Sequence, residues 1–428
     1  MADLVIRGGT LVTSDALLQA DIAIQDGRIE AIASQLPSAK TEIDARGLFV
    51  FPAVVDGHVH FNEPGRADWE GAATGSRALA AGGGAVFIDM PLNSTPCTVD
   101  AREFDRKRAA LDAASIADFA LWGGLVPGNL PDMAELAERG VVGFKAFLCD
   151  SGLPEFPRAD DQTLFDGLTE AARLGLPVAV HAESEELTRS GGRPVLAELE
   201  AIQRAAFLAG QAGAKLHIVH ISSGSGVALA AEARARGVDV SIETCPHYLA
   251  FTDQDLERLG TVAKCAPPLR DAAEREALWK QLLHGAVDIV GSDHSPAPPH
   301  MKTGELSKVW GGIAGVQSTL AVLLEHGHFE RGLPLPRIAS LLAGEPARRF
   351  RLPRKGRLEV GYDADLAIVD LAASHTLKAE HLMQRHALSP YIGRTFRGCV
   401  VRTMRRGETI FRDGRITAQT HGKFIRPL

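Results

Sequence analysis

Two textures of hydrophobic and polar positions alternate along the chain. Residues 3 to about 50 carry short β-branched runs, "LVIRGGTLV", "ADIAIQDGRIEAIA" and "ARGLFVF", punctuated by glycines and by Asp26-Gly27. Alternating runs broken by Asp-Gly are the signature of hairpin strands. The same texture returns near the other end, in "KGRLEVGYDADLAIVDL" and "GCVVRTMRRGETIFRDGRI", again with an Asp-Gly pair at Asp413-Gly414. The middle reads differently. Eight apolar runs each end in polar or Gly/Pro residues and are followed by an Ala/Leu/Glu-rich helical stretch: "FPAVVDGHVH", "GAVFIDMP", "DFALWGGL", "VVGFKAFL", "LPVAVHAE", "KLHIVHISS", "VDVSIETCPH" and "VDIVGSDHSP". Successive runs lie 23 to 49 residues apart, a spacing that suits strand–helix units with some long loops.

Eight such units point to an α/β protein with a (β/α)8 TIM-like barrel, although periodicity alone also allows an open doubly wound sheet. The expected organisation is a barrel over residues 53–352 and one small β-sandwich domain built from both chain ends, residues 1–52 and 353–428. A chain of 428 residues is long enough for two such units.

Composition narrows the function classes. A net charge of −7 with Lys and Arg scattered along the chain offers no basic field for a phosphate backbone, so nucleic acid is not an expected partner. No stretch approaches the roughly 18 apolar residues of a membrane span, and the first ten residues lack the apolar core of a secretory signal. Five cysteines, an odd number with no C-x-x-C pair, favour free thiols and a cytoplasmic location. "GGIAGVQ" (311–317) lacks the Lys-Ser/Thr ending of a phosphate loop and is expected to allow close backbone approach beside the eighth strand. The mixed charges of "DAREFDRKRAALDAA" (100–114) read as a solvated helix face.

Barrel sites form at the C-terminal ends of the strands, so the polar residues that close an apolar run become candidates. That filter selects His58, His60, Lys145, His181, His220, His247, Asp293 and His294. Alternation along a strand turns His58 and His60 to the same side while Val59 faces away, so both can meet one ion. A lone histidine at a strand end is more often a hydrogen-bonded rim residue than a ligand. A pair at i, i+2 together with His, His and Asp on three further strands is hard to attribute to packing. Imidazole and carboxylate together suit zinc, iron, nickel or cobalt. Lys145 is costly to bury as an ammonium among such cations. As a neutral amine it can add carbon dioxide and become a carbamate that bridges two metals. In a two-metal site of that kind a bridging water ionises near neutral pH.

"DGHVHFNEPG", the strand lysine, "VAVHAE", "IVHISS", "ETCPHYL", "KCAPPLRD" and "GSDHSP", in that order, resemble the cyclic amidohydrolases of the amidohydrolase superfamily: dihydroorotases, hydantoinases, dihydropyrimidinases and allantoinases. The resemblance covers essentially the whole chain. It implies two divalent metal ions per subunit, zinc first and iron, cobalt, manganese or nickel as alternatives. His58 and His60 would hold one ion, His181 and His220 the other, with carbamylated Lys145 bridging. Asp293 would bind the first ion and shuttle the proton from the attacking hydroxide to the leaving amide nitrogen. It ranks His220 ahead of His247 as a ligand, places His247 near substrate, and implies a homodimer or homotetramer. A non-catalytic barrel kept as an oligomeric scaffold would be expected to lose ligands, and all six are retained.

The substrate must be read from residues that do not touch metal. The dihydroorotase pattern carries an arginine after the His-x-His-x segment, where this chain has Asn62, with Arg66 four residues on as a conceivable substitute. The hydantoinase pattern carries a tyrosine five residues after the lysine, where this chain has Asp150. The loops "KAFLCDSGLPEFP", "HFNEPGRADWEG", "DMPLNSTP", "DHSPAPP" and "SPYIGRTFRG" are most similar to allantoinases. This implies hydrolysis of the allantoin ring to allantoate, in purine and ureide breakdown, with Asn62, Asn93, His247 and Ser295 as substrate contacts. A hydantoinase, dihydropyrimidinase or dihydroorotase is the alternative.

Overall fold

In the computed structural model, which describes residues 2–189 and 192–428, the first segment forms β1 (Leu4–Val12), β2 (Leu17–Gln25), β3 (Arg28–Ala33), β4 (Thr41–Asp44) and β5 (Phe49–Pro52). The eight apolar runs that follow fall on β6 (Val54–Val59), β7 (Gly84–Asp89), β8 (Asp118–Leu121) with β9 (Gly123–Gly124), β10 (Phe144–Phe147), β11 (Pro177–His181), β12 (Lys215–Ile218), β13 (Val240–Thr244) and β14 (Ile289–Val290). The third run is interrupted at Trp122, whose indole N–H donates to the Gly57 carbonyl at 3.1 Å. The chain then returns to antiparallel texture in β15 (Leu366–Thr376), β16 (Thr395–Arg405), β17 (Glu408–Arg412) and β18 (Arg415–Ile416).

β6 to β8 and β9 to β14 pair in parallel, in chain order, with β8 and β9 as successive pieces of the third run, and the helices lie between the strands along the chain. Every residue of β6, β7, β11 and β13 is buried, as continuous Val/Ile/Ala runs require when both faces of a parallel sheet are covered. The ring closes where Val59 bridges His294 in parallel and the His60 N–H donates to the His294 carbonyl at 2.8 Å. The barrel reading therefore holds over the open sheet.

Helix ends follow local chemistry. Asp100, Asp160, Ser223 and Asp271 accept the N3 backbone N–H at the start of helices 101–114, 161–174, 224–235 and 272–283. Gly175 and Gly213, at φ of 72° and 63°, end helices 161–174 and 195–212 in the left-handed region where glycine pays no Cβ penalty.

Both ends of the chain share one nine-stranded sheet. β5 pairs antiparallel with β15, Val50 opposite Ile368 and Phe51 opposite Ala367, and joins the N-terminal strands to β16–β18. This β-rich unit has its own core of Ile6, Leu11, Ile22, Ile24, Ile29, Val50, Leu366, Ile368 and Met404, all nearly inaccessible. Each such aliphatic side chain contributes about 1.5–3 kcal/mol by leaving water. Asp26-Gly27 turns β2 into β3 and Asp413-Gly414 turns β17 into β18, with φ of 53° and 77° and of 48° and 77°, as a type I′ hairpin demands.

The two units are tied at the end of the barrel opposite the site. Buried Lys355 Nζ reaches Asp118 at 2.8 Å, Asp363 at 2.9 Å and Asp365 at 2.7 Å, so β8 and the approach to β15 share one cation. The final residues run beside β8, with Phe424 bridging Phe119. Helix 101–114 departs from the expected solvated face. Lys107 on it is buried and pairs with Asp89 at 2.5 Å, while Glu103 is buried at its first turn. As the sequence reading expected, Gly312 lies against strand-end backbone, where a Cβ would stand 2.3 Å from the Ser295 carbonyl oxygen. Among the described residues no helix is long and apolar enough to cross a membrane.

Candidate active site

The C-terminal ends of the barrel strands converge on one buried chamber of about 70 Å³. β6 contributes His58 and, just beyond its end, His60; β10 contributes Lys145; His181 ends β11; His220 follows β12; Asp293 follows β14. His58 and His60 face the same side, with ring centroids 5.4 Å apart, and Val59 packs away into the core. Asp293 Oδ1 lies 3.2 Å from His58 Nε2 and 3.3 Å from His60 Nε2. Nδ1 of His181 faces Nε2 of His220 at 2.9 Å. Lys145 Nζ is buried over the Phe147 ring, 4.9 Å from its centroid, and has no hydrogen-bond partner among the described residues.

Strained backbone marks the same place. Among the described residues, nine non-glycine residues have positive φ, and four of them are Asn62 (63°), Asn93 (69°), His220 (40°) and Asp293 (44°). Such conformations cost on the order of 1–3 kcal/mol each and persist only where the surroundings impose them. At His220 and Asp293 the chain turns sharply just after a strand, which brings the side chain back over the barrel mouth.

Protonation states follow from burial. Burial lowers His181 to about 4 against the opposing hydrogen bond to Glu183, and lowers His247 to about 4. Burial, then the neighbouring His181, holds His220 well below its usual value. It also lowers Lys145 to about 8, although the charges of Asp293 and Glu243 pull the other way. Burial would raise Asp293, but the charge of His58 and the hydrogen bond from His60 outweigh it and keep the carboxylate ionised. Neutral imidazoles at His60, His181 and His220, an ionised carboxylate and a lysine close to losing its proton are the forms in which these groups donate electron pairs to a cation.

The donor set fits divalent metal. The ligand atoms of His58, His60 and Asp293 all lie within 4.8 Å of one another. Among the described residues, His220 Nδ1 and both ring nitrogens of His247 are buried without partners, as is Lys145 Nζ. Buried polar atoms are rarely left unmatched unless something else binds there.

Other expected residues have different surroundings. Asn93 borders the chamber and donates to Ser295 Oγ at 3.3 Å, and Ser295 borders it too. Asn62 does not border it; its amide turns toward the Pro296 carbonyl at 3.4 Å. His247 is buried behind the chamber wall, grouped with Cys245 and Asp293. His294 is turned away, its Nδ1 accepting the Gly315 and Val316 N–H groups, because the loop after β14 folds back over it. Arg66 is committed to Glu155 at 2.8 Å and to the Asn93 carbonyl, so it does not replace the missing arginine.

Sequence reasoning missed the carboxylates behind the histidines. Glu243, fully buried in β13, accepts from His58 Nδ1 at 2.8 Å and from the His220 N–H at 3.2 Å through Oε1, and lies 3.2 Å from His217 Nε2 through Oε2. Burial would raise its carboxyl, but the charge on His58 and the hydrogen bonds from His217 and His58 hold it at about 2. Glu183 does the same for His181, at 2.7 Å, and is in turn paired with Arg193 at 2.7 Å. Each carboxylate fixes which ring nitrogen of its histidine carries the proton. The signal was available: Glu243 closes a strand just as His58 does. Arg193 and Trp310 also border the chamber, and they lie in long loops where no periodicity marks them.

Comparison with known proteins places this architecture. The model of the amidohydrolase family matches residues 49–410. The chain is 64% identical to the allantoinase of Solibacter usitatus, over all of this chain and 97% of that one. It is 54% identical to the allantoinase of Rubrobacter xylanophilus, over 99% and 98% of the two chains, and 42% identical to an Escherichia coli allantoinase, over 96% and 95%. Among solved structures, the L-hydantoinase (dihydropyrimidinase) from Arthrobacter aurescens superposes with a TM-score of 0.96 at 35% identity, covering both chains completely.

Proposed function

The chain belongs to the amidohydrolase family, and from that membership we propose that it hydrolyses the ring amide of allantoin to allantoate. The identity to allantoinases extends over the whole chain. The observation that carries the chemistry is the convergence of His58, His60, Lys145, His181, His220 and Asp293 from five strand ends on one chamber.

These six residues would hold two divalent ions, His58, His60 and Asp293 one, His181 and His220 the other, with Lys145 between them. Bound there, the ions supply Lewis-acid polarisation of the ring carbonyl and make water acidic enough to attack near neutral pH. Lys145, brought close to losing its proton by burial, adds its amine to carbon dioxide, releases a proton and becomes an anionic carbamate. Asp293 is held in its ionised form, so it can accept a proton. It takes that proton from the attacking water as the oxygen bonds to the ring carbon, and delivers it to the ring nitrogen as the C–N bond breaks. Glu243 and Glu183 hold His58 and His181 in the tautomers that leave a lone pair facing the chamber. Asn93 and Ser295, at the rim, present short polar groups to a neutral polar ring.

In this reading zinc is the first choice of metal, with iron, cobalt, manganese or nickel able to replace it. The protein works as a homodimer or homotetramer. Five unpaired thiols support a reducing, cytoplasmic setting. Residues 53–352 act as the catalytic barrel, and residues 1–52 with 353–428 as the β-rich domain. A second reading, hydrolysis of a plain hydantoin or dihydropyrimidine ring, is favoured by the TM-score of 0.96 to a hydantoinase. The deciding experiment is a side-by-side hydrolysis assay of the metal-loaded protein on allantoin, hydantoin, dihydrouracil and dihydroorotate, with a chelated control. Preference for allantoin, lost on chelation, is the expected result. Preference for another ring overturns the substrate, and no turnover on any ring overturns the enzyme.

A further inference from the structure

The chamber of about 70 Å³ opens outward into a vestibule of about 700 Å³. Six residues border both spaces: Asp150, Ser151, Arg193, Ala266, Trp310 and Gly311. A ring whose carbonyl lies beside Asp293 fills the inner space, so any arm on that ring must leave past these six. Two of them are charged, and their charges are opposite.

Among the described residues neither charge is used up. Asp150 is exposed; its Oδ1 accepts only the Gly152 N–H, at 2.9 Å, and among the described residues no cation lies within 4.0 Å of its carboxylate. Arg193 is anchored through Nη1 to the fully buried Glu183 at 2.7 Å. Among the described residues its Nη2 has only the Cys149 sulfur within hydrogen-bond distance, at 4.0 Å, and Cys149 adjoins Asp150 in the chain. The rim thus presents a fixed guanidinium with donors to spare and a carboxylate with an acceptor to spare.

We propose that Asp150 and Arg193 form a clamp that selects rings bearing a ureido arm. This inference rests on the allantoin reading above and deepens it. A urea group carries N–H donors at one end and a carbonyl acceptor at the other. Asp150 accepts from the N–H groups, and the free Nη2 of Arg193 donates to the carbonyl. An alkyl or aryl arm would desolvate both ions and satisfy neither. A bare hydantoin would leave them to water. A site built to hydrogen-bond an arm rejects substrates lacking it far more strongly than a hydrophobic pocket rejects an extra methylene. Asp150 occupies the place where the hydantoinase pattern has a tyrosine, so the substitution exchanges a neutral donor for an anionic acceptor.

The test compares kcat/KM for allantoin and for hydantoin in the metal-loaded wild type, Asp150→Ala and Arg193→Lys, with metal content per chain measured on each. The readout is the allantoin-to-hydantoin ratio. Asp150→Ala removes a charged acceptor and should lower the ratio about tenfold or more, chiefly through KM for allantoin. Arg193→Lys keeps a cation for Glu183 but loses the second arm of the guanidinium, and should lower the ratio several-fold. Losses that fall equally on both substrates, leaving the ratio unchanged in both variants, overturn the clamp while leaving the allantoin reading intact. A wild type that prefers hydantoin overturns both.

Discussion

Replacing Glu243 by glutamine tests whether the buried carboxylate behind the histidines sets their binding state. The side chain keeps its shape and loses its charge. Through Oε1 the carboxylate accepts from His58 Nδ1 at 2.8 Å and from the His220 N–H at 3.2 Å; through Oε2 it meets His217 Nε2 at 3.2 Å. A glutamine with its carbonyl in the Oε1 position preserves the first two bonds. Its NH2 group then faces His217, which must exchange tautomer and donate through Nδ1 to Ser241 Oγ, 2.8 Å away. No donor need be orphaned, so the main loss is charge assistance on the His58 bond. Charge-assisted bonds are roughly twice as strong as neutral ones, and partners in this position typically change metal affinity about 10–100-fold. That range corresponds to about 1.4–2.8 kcal/mol. The assay strips the protein, titrates metal against a chelating dye, and records unfolding of the metal-free form as a check on integrity. Wild-type metal affinity in Glu243→Gln would refute the proposal that Glu243 determines how His58 presents Nε2. Glu243→Ala is the harsher control: it leaves His58, His217 and the His220 N–H without an acceptor in a nearly inaccessible region. It should destabilise the fold by about 3–5 kcal/mol.

Other perturbations separate the roles of the remaining groups. Lys145→Ala should abolish turnover, and short carboxylic acids should restore part of it by supplying an anion where the carbamate would stand; full activity without them would remove the carbamate from the mechanism. Asp293→Asn should retain part of the metal while turnover falls on the order of 10²–10⁴-fold, as expected for loss of a general base, and near-normal turnover would exclude the shuttle. Chelation should lower the thermal midpoint as well as activity, because a ligand present at about 1,000 times its Kd stabilises the native state by about 4 kcal/mol; a midpoint indifferent to chelator would argue against resident metal. Lys355→Met removes the cation shared by Asp118, Asp363 and Asp365; Asp118 keeps Arg406 and Asp363 keeps Arg354, so Asp365 is the one left without a cation, and the change should cost about 3–5 kcal/mol at neutral pH in denaturant titrations. Burial already raises the Asp365 carboxyl and loss of Lys355 would raise it further, so the deficit relative to wild type should shrink as pH falls and Asp365 takes up a proton. A deficit independent of pH would contradict that account.

The site is assembled from strand ends far apart in the chain, which explains both its rigidity and its strain. Each donor sits on a parallel strand or within three residues of its end, so its Cα position is fixed by the barrel. Aiming the side chain inward then requires a tight turn, and at His220 and Asp293 the price is a positive φ. The buried carboxylates complete the aim by holding the rings.

The pattern of apolar runs by itself determined the eight barrel strands, the β-rich ends and the metal-type donor set. A parallel strand buried on both faces has to be continuously apolar, so a histidine or lysine at its end stands out. The Asp-Gly hairpins were equally legible, because two successive positive φ angles leave few residue choices. Tertiary structure alone decided the rest. It turned the strand-end His294 away from the chamber that His220 borders, by folding the loop after β14 over it. It buried Lys107 on a helix whose charges suggested a solvated face, because only packing brings Asp89 within reach. It turned Asn62 toward the Pro296 carbonyl and brought Asp150 and Arg193 to one rim. Side chains on long loops have no periodicity to betray where they point. Their positions depend on contacts between distant segments, and those exist only once the barrel has closed.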